Sequence, residues 1–267
     1  MKERPFFLGP VATLVQRELQ RFYRQRDRVI GAVAQPILFW ILFGSGLRAS
    51  FKPGNGGMSS LEYFLPGTVV LIVLFTAIFA TISIIEDRNE GFLQAVLAAP
   101  VARSSVVLGK VLGATALAVP QGLVVLLLGA PVSGLPVAPL PMIAATGVLI
   151  LISFGLTGVG LCIAWRMDST QGFHAIMSVF LFPMWILSGA FFPAAGAPVV
   201  LRAIMACDPL TYGVAALRRV LYLASPGHAE ALPSLPLSLA LTTLFAIATF
   251  ALAVKLAARP ATGKKPI

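Results

Sequence analysis

The chain has 267 residues, of which 58% are hydrophobic and 11% charged, with a mean hydropathy of +0.90 and a net charge of +10. So few charged side chains cannot cover the apolar surface of a soluble globule of this length, so lipid is its main solvent. No polar run is long enough for a separate soluble domain.

Residues 1–28 are too charged to supply the apolar stretch of a cleavable signal peptide and are read as part of the mature protein. Within them Val11, Leu14, Val15, Leu19 and Phe22 recur at helical spacing, with Arg17, Glu18, Arg21 and Arg24 interleaved. This pattern predicts an amphipathic helix with a basic face lying along the membrane interface, either as an anchor or as a surface for a partner.

Six apolar runs are long enough to cross a hydrocarbon core of about 30 Å. They are 29–47, 63–85, 107–128, 141–165, 173–192 and 235–257. Backbone polar groups cannot stay unpaired in lipid, so each run is read as a helix, kinked but not broken by Pro36, Pro120 and Pro183. The period-two alternation of a membrane β-barrel is absent. An alternative start of the third run near Val111 places Lys110 at the interface. The chain therefore divides into an N-terminal segment, 1–28, a transmembrane domain, 29–257, and a tail, 258–267.

Between the second and third runs stands a charged, then amphipathic insert. Glu86, Asp87, Arg88 and Glu90 lie where the span leaves the membrane, and Gly91 permits a bend. Phe92, Val96 and Ala99 then recur at helical spacing beside Leu93 and Leu97, and Pro100 ends the run. Arg103 can reach back to lipid head groups. The insert is either a solvated loop or a rigid knob that passes force from a soluble partner.

The turn at 52–57, rich in glycine, is a connector. Residues 193–233 lie between the fifth and sixth runs yet carry apolar residues at helical spacing, interrupted at Asp208-Pro209. Proline lacks a donor and biases the residue before it, so two short re-entrant helices are expected there. The fold class is thus an all-α membrane protein with six transmembrane helices, an N-terminal interfacial helix and short outer re-entrant helices.

Basic residues set the orientation. Lys2, Arg4, Arg17, Arg21, Arg24, Arg26, Arg28, Arg88, Arg103, Lys110, Arg166, Lys255, Arg259, Lys264 and Lys265 fall on one side, with Arg48, Lys52, Arg202, Arg218 and Arg219 on the other. The richer side is cytoplasmic, which places both termini in the cytoplasm of a multi-pass protein of the cell membrane. The same asymmetry, with attraction to anionic lipid, accounts for the positive charge without nucleic acid.

Chemistry within the chain is sparse. There is no His-Glu-x-x-His and no Gly-x-Ser-x-Gly, and His174 and His228 stand alone. Cys162 and Cys207 are expected far apart, so neither a metal site nor a disulfide is implied. Nearly uncharged span interiors argue against an ion relay. No Gly-x-x-x-x-Gly-Lys-Ser/Thr loop is available to cradle nucleotide phosphates, Gly109-Lys110 being the nearest fragment. The small residues Ser105, Gly109, Gly113, Gly155, Gly158 and Gly160 permit close helix packing in the bundle. Phe180, Trp185 and Phe191 form an aromatic face that either lines a path for a lipophilic substrate or contacts lipid or a second subunit.

Two ordered blocks carry a family resemblance. The run from Glu86 to Gly91 and on through Pro100-Val101-Ala102-Arg103 resembles the charged turn and surface helix of ABC-2 type exporter permeases. The block from Phe182 to Phe192 with Pro193, followed by Asp208-Pro209-Leu210-Thr211-Tyr212 and Ala216-Leu217-Arg218-Arg219, resembles that family's fifth helix and outer re-entrant region, in the drug-resistance and polysaccharide-export branch. The resemblance implies a membrane subunit that pairs with a second permease copy and rests on a separate ATPase subunit, which binds ATP and Mg while this chain binds no cofactor. By the same resemblance the helix from Phe92 to Ala99 is the coupling helix, the basic N-terminal helix is the connecting helix, and Glu86 and Arg88 form a polar hinge. Two positions depart from the family pattern: Gln94 stands where glutamate is common, and Asp208 where asparagine is common. The alternatives are a type I importer permease, whose Glu-Ala-Ala loop is not seen, and a channel or membrane scaffold without an ATPase.

Overall fold

A computed structural model describes residues 8–24, 30, 34, 37, 38, 40–42, 59–135, 137–191, 197–223 and 232–258. Most of the first expected span, the turn at 52–57, Pro193, His228 and residues 259–267 lie outside the described residues.

Ten α-helices follow one another in the described residues. They are α1 (Leu8–Arg24), α2 (Ser60–Ala80), α3 (Ile82–Asn89), α4 (Phe92–Ala98), α5 (Arg103–Ser133), α6 (Pro139–Ala164), α7 (Thr170–Trp185), α8 (Val199–Cys207), α9 (Pro209–Leu221) and α10 (Leu235–Ala258). A π-helical turn, Ile186–Ala190, continues α7. Local sequence starts these helices: Ser59 accepts from the Glu62 N–H, Ser169 from that of Gly172, and Asp208 from that of Leu210, with Pro209 next to it. Gly134 at φ 84° ends α5, a conformation that suits a residue without Cβ.

Among the described residues five helices are long and apolar enough to cross a membrane, Ser60–Asn89, Arg103–Ser133, Pro139–Ala164, Thr170–Ala190 and Leu235–Ala258. They correspond to the second through sixth expected spans. The first of them, α2 continued by α3 across a jog at Thr81, has 30 residues and rises about 45 Å, so its last turns leave a hydrocarbon core of about 30 Å. Helix α5 also runs beyond its expected start at 107, opening at Arg103. The expected re-entrant pair is α8 and α9, bent by 86° at Asp208.

Helix α2 lies at the centre of the core, packed against α5 and α6, while α10 covers α6 and α9 fits between α6 and α10. Gly155 and Gly158 let α6 approach Phe245 and Thr249 of α10, as expected of bundle glycines. Gly109 and Gly113 serve a different neighbour. A Cβ on Gly109 would fall 2.8 Å from the Leu14 Cβ, and one on Gly113 2.9 Å from the Glu18 Cβ. This stripe therefore seats α1 on α5, so the apolar face of α1 is covered by protein.

Candidate functional site

The site grows from the register of α1. Val11, Leu14, Glu18 and Phe22 are its buried positions, all on one face. Glu18 thus belongs to the buried face and not to the basic one expected for it, and it stays there because it has a cation to meet. Lys110 of α5, 4% exposed, donates to Glu18 Oε1 at 2.6 Å, to Ser83 Oγ at 3.0 Å and to Asp87 Oδ2 at 2.5 Å. The expectation of an interfacial Lys110 is corrected: the ammonium is buried between α1, α3 and α5.

Asp87, fully buried at the end of α3, is the hub of this cluster. Arg17 grips it with both Nη atoms, at 2.5 and 2.9 Å, and Arg21 donates to Oδ1 at 2.9 Å. Paired N–H donors on one carboxylate give a strong, geometrically defined contact. The hydrogen bonds it donates to Asp87 raise the Arg17 pKa above its ordinary value, so the side chain stays charged. Arg21 also lies 2.8 Å from Glu86 and 3.4 Å from Glu90. A buried carboxylate surrounded by three cations ties α1, α3 and α5 together, since removing any partner leaves charge without compensation.

Gly91, at φ 81°, turns the chain from α3 into α4. Phe92 meets the N-terminal helix directly: the Arg17 guanidinium lies 3.7 Å from its ring centroid. Leu93 is buried in the core and Val96 is half-buried, leaving Gln94, Ala95, Ala98 and Pro100 exposed. The outward face of α4 is therefore small and uncharged. Gln94 donates to the Arg88 carbonyl at 3.2 Å, which an ionised glutamate could not do, so its departure from the family pattern has a local reason.

Glu86 and Arg88 reach in different directions. Glu86 faces Arg21, whereas Arg88 donates to the carbonyls of Trp165 and Met167 at 2.7 and 2.8 Å and to Asp168 Oδ1 at 3.1 Å. It thereby occupies carbonyls at the end of α6, which have no helical donor of their own. Arg103 opens α5 and is half-buried.

The aromatic residues do not share one surface. Phe180 is exposed on α7 beside Ile176 and Val179, but Trp185 is 4% exposed and its indole N–H donates to the Gly67 carbonyl at 2.8 Å. Phe191 is half-buried, its ring centroid 6.0 Å from that of Trp185 and 5.3 Å from that of Phe64. Of the three, Phe180 alone faces outward.

Sequence reasoning missed Lys110, Gly109 and Gly113 as members of this site. The signal was present: a lysine inside an apolar helix needs an acidic partner, and Asp87 and Glu18 were available one helix away on either side.

A family model described as ABC-2 type transporter matches residues 10–222. A putative transport permease, ycf38, from Cyanophora paradoxa is 27% identical over 216 residues, covering 80% of this chain and 74% of that protein. Nodulation protein J from Rhizobium leguminosarum bv. viciae is 26% identical over 197 residues, 71% of this chain and 73% of the relative. A probable multidrug ABC transporter permease, YbhR, from Escherichia coli strain K12 is 24% identical over 160 residues, 59% of this chain and 43% of the relative.

Proposed function

The chain belongs to the ABC-2 type transporter family, and from that premise we propose that it is the permease subunit of an ATP-binding-cassette exporter. It moves an amphiphilic or lipid-linked substrate outward. A separate ATPase subunit holds ATP and Mg and supplies the energy, and a second permease, identical or similar, completes the pathway. Both termini face the cytoplasm.

One observation carries this reading. Helix α4 stands beyond the end of a long span, presents a small uncharged face, and is joined through Phe92, Arg17 and Asp87 to α1 and α5. Such an elbow suits a docking point whose displacement is passed into the bundle as a rigid motion. In this role α4 is the coupling helix and α1, through Arg17, Glu18 and Arg21, the connecting helix. The likeness to YbhR, a probable multidrug permease, supports an amphiphilic cargo. The exposed α7 face at Ile176, Val179 and Phe180 suits lipid or the second permease.

Purification from native membranes tests the assignment: the chain is expected to bring with it a subunit that hydrolyses ATP, and a chain that purifies with no such subunit contradicts it. Orientation has its own reporter, because Cys207, at the end of α8, is exposed. A membrane-impermeant maleimide is expected to label Cys207 in intact cells. Labelling only after the membrane is opened reverses the orientation.

A further inference from the structure

At the end of the bundle opposite the ion cluster, α2, α7 and α9 meet on irregular backbone. Pro66 lies inside α2 and has no N–H, so the Glu62 carbonyl one turn earlier lacks its helical donor. The Tyr222 hydroxyl, directly after α9, donates to that carbonyl at 3.0 Å. One turn back on the same face, Arg218 Nη2 donates to the carbonyls of Tyr63 and Ala190 at 3.2 and 3.3 Å. Ala190 ends the π turn after α7, where Gly189 adopts φ 79°.

Arg218 is 4% exposed, and its guanidinium lies 4.1 Å from the Tyr63 ring centroid. Among the described residues it forms no ion pair, and its Nε is buried without a hydrogen-bond partner. A buried cation held by carbonyl dipoles and a ring is bound more weakly than one paired with a carboxylate. The backbone it holds is already irregular, so α2 and the end of α7 can part from α9 without breaking regular helix.

We propose that Arg218 and Tyr222 are positioning residues that form a latch. They hold the outer ends of α2 and α7 closed on the re-entrant helix α9, and their release lets this end of the bundle open. The inference rests on the reading of the chain as a permease, for which that end must open once per cycle.

The test places a single thiol inside the latch. In a full-length chain carrying Cys162→Ala and Cys207→Ala, Ser188→Cys puts a thiol in the π turn at a position 1% exposed. Its reaction with a hydrophilic maleimide is followed in membrane fragments, where the reagent reaches both faces. Arg218→Gln is expected to raise the labelling rate about tenfold, as loss of hydrogen bonds from a charged group predicts for an opening equilibrium. Arg218→Lys, which keeps the charge but not the planar fork, is expected to raise it as well. Unchanged rates in both variants overturn the latch.

A second arm guards against misfolding. Tyr222→Phe is expected to raise labelling in the native background but to lose that effect when combined with Pro66→Ala, which restores an N–H to the Glu62 carbonyl. An equal effect in both backgrounds overturns the latch. Whether nucleotide and the partner subunit change the rate bears on the permease reading instead, so the two ideas fail separately.

Discussion

At one end of the bundle Asp87 gathers Arg17, Arg21 and Lys110, and Glu18 and Glu86 complete the charge balance. At the other end Arg218 is just as buried but rests on the carbonyls of Tyr63 and Ala190. Matched buried charges penalise any separation of their helices, so α1, α3 and α5 behave as one block. A cation on carbonyl dipoles gives way at lower cost. Under the proposed function, the contrast puts rigidity at the end proposed to receive force from a partner and compliance at the end proposed to open.

Removing the hub is the largest expected disturbance. Asp87→Asn leaves three cations around a neutral amide and should cost about 3–5 kcal/mol, read as a fall in the thermal unfolding midpoint of the chain in lipid nanodiscs. Lys110→Met keeps the volume and leaves two arginines on Asp87, but buried Glu18 keeps only Arg17, at 3.7 Å, so about 2–4 kcal/mol is expected by the same measurement. At the opposite end Arg218→Gln removes bonds to two carbonyls and the contact with the Tyr63 ring, and should cost about 1–2 kcal/mol. If Arg218→Gln proves as damaging as Asp87→Asn, the contrast between the two ends fails. Glu90, with its side chain 60% exposed and 3.4 Å from Arg21, marks the edge of the cluster. Glu90→Gln should leave the midpoint unchanged within about 0.5 kcal/mol.

Much of this is legible in the sequence. The five spans follow from hydropathy, the break at Asp208-Pro209 from proline's missing donor, and the start of α4 from Gly91. What escaped was tertiary pairing. Hydropathy treats a lysine as the end of a span, so Lys110 read as a boundary although Asp87 and Glu18 neutralise it inside the fold. Glu18 sits among arginines in sequence and was grouped with them, yet the helical period puts it with Leu14 and Phe22. Small residues mark close approach without naming the neighbour, so Gly109 and Gly113 did not disclose that they seat α1. Phe92 and Leu93 read as an apolar pair on the surface helix, but one is stacked on Arg17 and the other lies in the core. A charged residue at either would disturb folding, which makes Ala98, exposed on the same helix, the sharper probe.

Ala98→Glu therefore tests the central claim most directly. It places a charge on the outward face of α4 and touches neither the ion cluster nor the core. Purified from native membranes beside the unaltered chain, the variant should keep the same thermal midpoint and lose the ATP-hydrolysing subunit. Retention of that subunit with full ATP hydrolysis would contradict α4 as the docking point.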